Sequence, residues 1–175
     1  AKGDSWAYIS SGTWSLVGVE TDAPVINERS LELNITNEGG IGATTRLLKN
    51  ITGLWLVQQC RKAWERSASG STAEYEDLTK QADQAEAFLT FIDPDSPDFL
   101  NPPDMPSAIQ DYARRTGQPI PEKPGAFVRC ILESLALKYG QVLGQLETLT
   151  GRSIRTIHVI GGGAKNTLLN RFTAE

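Results

Sequence analysis

Residues 154–160 read IRTIHVI, and Gly161, Gly162 and Gly163 follow before a helix-like run from Lys165 onward. An apolar β-branched run that stops on glycines and restarts as a helix predicts a buried strand turning into a helix N-terminus. Glycines there let backbone approach a ligand, and the helix start offers free N–H groups and a partial positive charge. Ligands in α/β sheets gather at the carboxyl ends of strands. A dinucleotide-binding fingerprint would need a further glycine where Asn166 stands, and no GxxxxGK[ST] phosphate loop occurs. The plainer alternative is a helix–sheet corner whose glycines serve packing alone.

A second candidate lies at the other end of the chain. Residues 6–20, WAYISSGTWSLVGVE, are two β-rich runs around Ser11-Gly12-Thr13. Trp6, Tyr8 and Ser10 share one side and Ala7 and Ile9 the other, the pattern of a hairpin. Hydroxyls and a glycine on such a turn, Ser10-Ser11-Gly12-Thr13, can hydrogen-bond phosphate oxygens; a plain hairpin turn is the alternative.

Between these ends, residues 31–36 predict a third antiparallel strand, stopped by Asn37-Glu38-Gly39-Gly40. Leu47, Leu48, Ile51, Leu54, Trp55 and Val57 recur at helical spacing and predict one helix reaching Trp64. Gly53 falls inside it and marks a close approach. Ser67 to Ser71 reads as a polar break, and a second helix carrying Tyr75, Leu78, Ala82 and Ala85 is expected from Thr72 or Ala73 through Ala87. The prolines at 94, 97, 102, 103 and 106 make a loop. A short helix over 108–116 and a long one over 126–149 follow. On the long helix, Gly140 and Gly144 predict a face open to another backbone. Strands, helices, then strand, glycines and helix describe an α/β layered domain.

Composition narrows the function. The 175 residues carry a net charge of −4, without the basic stripe of a nucleic-acid binder. No apolar run approaches a membrane span. Two cysteines and one histidine exclude a disulfide scaffold, a zinc cluster and most histidine triads. Asp93, Asp95 and Asp98 have Pro94 and Pro97 among them, which defeats a calcium loop and leaves a solvated acidic turn. His158 reads as a hydrogen-bonded core residue, Cys60 and Cys130 as buried thiols, and the tryptophans as core. The start at Ala1, with no initiator Met and no leader, and the stop at Glu175, mid-pattern, predict a piece of a longer chain.

SSGTWSLVG, ITNEGG, RLLKNITGLWLVQQCR, SLALKYG and IHVIGGGAKNTLLN, in this order over nearly the whole chain, resemble the FGGY carbohydrate kinases. GLWLVQQCR and the IDPD…F…P…MP…GQ…P stretch point to a narrower branch of that family. The resemblance implies an actin-like (ribonuclease H-like) ATPase fold: an α/β mixed sheet with an N-terminal antiparallel hairpin and flanking helices. Residues 1–175 would be the C-terminal nucleotide-binding domain.

By motif match, Thr13 would face the ATP phosphates, and Asn50 and Gln58, eight apart on one helix, would line the nucleotide site. Gly162 would lie against the adenosine part, with Asn166 a further candidate. ATP with Mg²⁺ and a small sugar are the expected ligands, in a cytoplasmic protein that binds neither nucleic acid nor membrane. The same resemblance places the catalytic aspartate and the sugar-binding domain upstream of Ala1, so activity of these residues alone is not expected. A kinase for another ketose or alditol, a non-catalytic actin-like nucleotide-binding module, and, from the glycine turn alone, a dinucleotide-dependent enzyme are the alternatives.

Overall fold

Alternating burial along residues 6–21 makes the hairpin. In the computed structural model, which describes residues 5–67 and 74–175, β1 (Trp6–Ser11) pairs antiparallel with β2 (Trp14–Thr21), Ile9 opposite Val17 and Ser11 opposite Ser15. Ala7, Ile9 and Val17 are fully buried on one face. Trp6, Tyr8 and Ser10 stand on the other, only half-covered.

The expected strand at 31–36 is corrected. Asn27 starts a short helix instead, α1 (Glu28–Glu32). Its side chain accepts from the Ser30 N–H while the Ser30 hydroxyl accepts from the Asn27 N–H, a reciprocal cap. The strand, β3, runs over Thr36–Gly39.

The long helix expected from Leu47 is also corrected. Residues Thr45–Thr52 form β4, and α2 begins only at Trp55, running to Ser67. β4 lies between β2 and β3. Leu47 and Ile51 join the core on one face, and Leu48 is fully buried on the other. A strand buried on both faces loses its alternation, and LLKNI then mimics helical spacing. Gly53 lies between strand and helix rather than inside the helix, yet the close approach is there: a Cβ on it would meet Gly12 O at 2.8 Å.

β5 (Thr156–Ile160) completes the sheet, in order β3-β4-β2-β1-β5, and is parallel to β1. It is an edge strand, half-covered at best, not the buried strand expected. His158 alternates onto the exposed side, its ring edge-on to Trp6 at 5.8 Å, so the core-histidine expectation is corrected too.

One sheet face is covered by helices. α3 (Tyr75–Gln84) and α4 (Met105–Arg115) precede α5 (Pro124–Thr150), and α6 (Thr167–Ala174) follows β5. The expected start of the second helix and most of the polar break fall outside the described residues; α3 ends at Gln84, not Ala87. α5 lies against β2 and β4 and also against α3 and α6. Phe127, Ile131, Leu135, Tyr139, Val142 and Leu146 form its buried stripe. Gly140 and Gly144 are exposed and no atom lies within 4 Å of a Cβ built on either, so the expected backbone approach there is absent. Cys60 and Cys130 are buried, as expected. No described helix is long and apolar enough to cross a membrane.

Two polar networks fix the helical layer. Arg129, itself buried, bonds Glu133 at 2.7 Å and donates to the carbonyls of Ala82, Asp83 and Ala85 at the end of α3. Asp93 and Asp95 both reach Lys138 of α5, at 2.8 and 3.1 Å, and Asp95 also accepts from the Thr52 N–H. The acidic turn is therefore an anchored strap rather than a solvated loop. Asp98 pairs with Arg115.

Candidate functional site

The hairpin tip is fastened to the start of α2 by main-chain bonds. The Thr13 carbonyl accepts from Gly53 and Trp55 N–H at 3.1 and 3.0 Å, and the Gly12 carbonyl accepts from Leu54 N–H at 2.9 Å. These bonds satisfy donors that a helix start otherwise leaves free. They also set Thr13 beside Gln58, one turn into α2, whose Nε2 donates to Thr13 Oγ1 at 3.1 Å.

On the other side, β5 delivers the three glycines to the end of β1. Gly161 has φ +88°, a conformation that favours glycine, and a Cβ on it would meet Ser11 O at 2.6 Å. A Cβ on Gly163 would collide with Ser11 Oγ. Gly162, between them, has no atom within 4 Å of its would-be Cβ. The outer two glycines seat the turn on Ser11, and the middle one faces open space. Asn166 caps α6, its Oδ1 accepting from Leu169 N–H at 3.0 Å.

A cavity of about 730 Å³ lies between these two parts, closed on a third side by α3. Thr13, Gln58 and Gly162, from three separate stretches of sequence, all line it, and so does Asn166. Asn50 does not: it sits on β4 opposite Leu16, not on the helix with Gln58, so the shared helical face expected of the pair is corrected. Nor do all the hairpin hydroxyls serve. Ser11 is 1% exposed and lies beneath the glycine turn, next to the buried Ser15–Tyr139 hydroxyl pair at 2.7 Å. Burial pushes the Tyr139 phenol above its ordinary pKa, so this pair stays neutral.

Sequence reading missed the α3 wall. Glu76, Thr79 and Lys80 line the cavity, but on an amphipathic helix they are indistinguishable from a solvent face; Tyr75, expected on an apolar stripe with Leu78, Ala82 and Ala85, lines it with them. Among the described residues, no group of three His, Cys, Asp or Glu side chains is placed to hold a metal ion, and Glu76 is the one carboxylate lining the cavity. A smaller hollow of about 550 Å³, between Phe91, Tyr112 and Lys138, holds none of the expected residues.

The profile of the FGGY family of carbohydrate kinases, C-terminal domain, matches residues 7–175. The chain belongs to the FGGY family. A rhamnulokinase of Bacteroides thetaiotaomicron is 56% identical over 171 residues, 98% of this chain and 34% of that protein. A rhamnulokinase of Enterococcus faecalis is 47% identical over 175 residues, 99% of this chain and 34% of that one. The chain thus spans about a third of the length of the curated relatives it matches. Among solved structures, the xylulose kinase of Rhodospirillum rubrum superposes with a TM-score of 0.68 at 13% identity, over 99% of this chain and 33% of that one. Plasmodium falciparum glycerol kinase, solved with ADP, gives 0.59 at 15% identity, over 97% and 33%. The shared fold is the α/β actin-like class expected from the sequence.

Proposed function

We propose that these residues are the nucleotide-binding part of an ATP-dependent rhamnulokinase, which transfers the γ-phosphoryl group of ATP to the 1-hydroxyl of L-rhamnulose. The convergence of Thr13, Gln58 and Gly162 on one cavity supports the nucleotide site. The identity to rhamnulokinases over almost the whole chain supports the sugar. In this reading the Thr13 hydroxyl, oriented by Gln58, meets the phosphates, and the open space at Gly162 admits the nucleoside. Asn50 is a contact in this scheme only for a ligand that extends past the cavity along β4.

Phosphoryl transfer depends on positioning and on electrostatic stabilisation of the transferring group. The chain's own residues would supply the positioning. The cavity walls offer no set of ligands for Mg²⁺, so the ion enters this reading with the nucleotide phosphates. The residue that takes the sugar proton and the pocket that holds the sugar belong to other parts of the kinase. A cytoplasmic location follows from the use of ATP.

The test is turnover by the complete polypeptide with ATP, Mg²⁺ and a panel of ketoses. L-Rhamnulose is expected as the preferred acceptor. Preference for L-fuculose or D-xylulose would overturn the sugar and keep the kinase. Nucleotide binding with no sugar phosphorylated would favour a non-catalytic module instead.

A further inference from the structure

The cavity carries one feature that its polar residues leave unused. Tyr75, at the start of α3, is the one aromatic ring among the described residues that line it, and it is 44% exposed. An aromatic ring half open to water gains free energy when a flat apolar group covers it. This ring is also held in place. The Arg61 guanidinium lies over it at 4.7 Å from the ring centroid, inside the range of a cation–π contact. Arg61 in turn forms an ion pair with Glu65, 3.2 Å from its Nε and one helical turn further along α2. A ring held this way loses little freedom when a ligand stacks on it.

Its position along the cavity completes the argument. Thr13 and Gln58 present a hydroxyl and an amide on the hairpin side of the cavity. Tyr75 belongs to the third wall, on α3, and Gly162 leaves the glycine turn open toward the same space. A ligand with anionic groups at the hairpin and a planar ring against α3 matches both.

We infer that Tyr75, clamped by Arg61, is the platform on which the base of the bound nucleotide stacks, and that it sets the preference for purine over pyrimidine nucleotides. This rests on the nucleotide reading above. The larger π-face of a purine covers more of the ring, so losing the ring should affect purines most.

The test uses the complete polypeptide and three probes: ADP, CDP and inorganic tripolyphosphate, with affinities measured by calorimetry or competition. Tyr75→Ala is expected to weaken ADP by about tenfold or more, the range seen when a stacking aromatic is truncated. It should weaken CDP less and leave tripolyphosphate unchanged, so that the ADP-to-CDP preference narrows. Tyr75→Phe keeps the ring and should bind ADP as the parent does. Arg61→Gln removes the clamp but not the platform and should fall between. Unchanged ADP affinity in a folded Tyr75→Ala protein overturns the inference alone. So does an equal loss of tripolyphosphate, which would mean general distortion of the cavity. Failure of the unsubstituted protein to bind ADP overturns the nucleotide reading and this inference with it.

Discussion

Replacing Gly162 with Val puts an isopropyl group into the cavity without disturbing its frame. No atom lies within 4 Å of a Cβ there, so the folding cost should stay within about 0.5 kcal/mol, the range of an unconstrained surface change. The ligand meets the added volume instead. Forcing extra methyl groups into a filled site costs about 1–3 kcal/mol, which is about 5- to 150-fold in affinity.

The neighbouring glycines supply the contrast. At Gly161 an alanine would need a left-handed backbone at φ +88° and would press on Ser11 O at 2.6 Å. Strain of about 1–3 kcal/mol for a side chain at this positive-φ, extended-ψ backbone and overpacking of about 1–3 kcal/mol together predict a loss of about 2–6 kcal/mol. For a chain of this size that is a fall in Tm on the order of 10 °C. Calorimetric titration with ADP and thermal melts on both variants separate the two effects. Gly162→Val should melt like the parent and bind poorly; Gly161→Ala should melt early. A folded Gly162→Val protein with parental ADP affinity refutes the cavity as the nucleotide site. A melt as low as that of Gly161→Ala would show that all three glycines serve packing.

Three further outcomes are expected. Arg129→Met leaves the Glu133 carboxylate buried without its partner and should destabilise the fold by about 3–5 kcal/mol, read by denaturant unfolding; an unchanged midpoint would contradict the role given to the pair. Burial raises both thiols, Cys130 to about 12 and Cys60 further, with Cys130 adding to the shift of Cys60. Neither should take up iodoacetamide at pH 8 until the protein is unfolded, and a native adduct seen by mass spectrometry would refute this. Burial alone would raise Asp93, but the Lys138 ammonium and the Asp95 N–H outweigh it and hold its carboxyl below the ordinary value of 3.8. Its contribution is therefore present above that value and is lost as pH falls through the lower folded one. Lys138→Met should flatten the acid limb of the stability profile, and an unaltered limb would remove the strap from the account.

What could be read from the residues alone follows from which forces are local. The hairpin was legible because one face is buried and the other is not, so WAYIS alternates. β4 was not, because both its faces carry packed leucine or isoleucine and the period of two disappears. β5 failed in the opposite way: IRTIHVI is apolar enough for a buried strand, but its place at the sheet edge is a property of the whole topology. Thr13, Gln58 and Gly162 could be picked out from motifs and meet on one cavity. Asn50 was misplaced with the helix it was assigned to. Tyr75 was legible only as part of an apolar helix stripe, since the packing of α3 against α5 is what turns it toward the glycine turn.

The parallel pairing of β1 with β5 has a consequence for how the chain comes together. Trp6 lies opposite Thr156, so nearly all the other elements sit inside the loop that this pairing closes. Contacts between residues so far apart in sequence are slow to form, because the entropy of closing the loop is lost before the contact rewards it. The seat of Gly161 and Gly163 on Ser11 exists only once that closure is made. A ligand held between the hairpin and the glycine turn therefore binds the closed chain alone and shifts the population toward it in proportion to its concentration. The number of binding sites titrated in a refolding mixture would then count molecules that have finished folding, which secondary-structure signals do not.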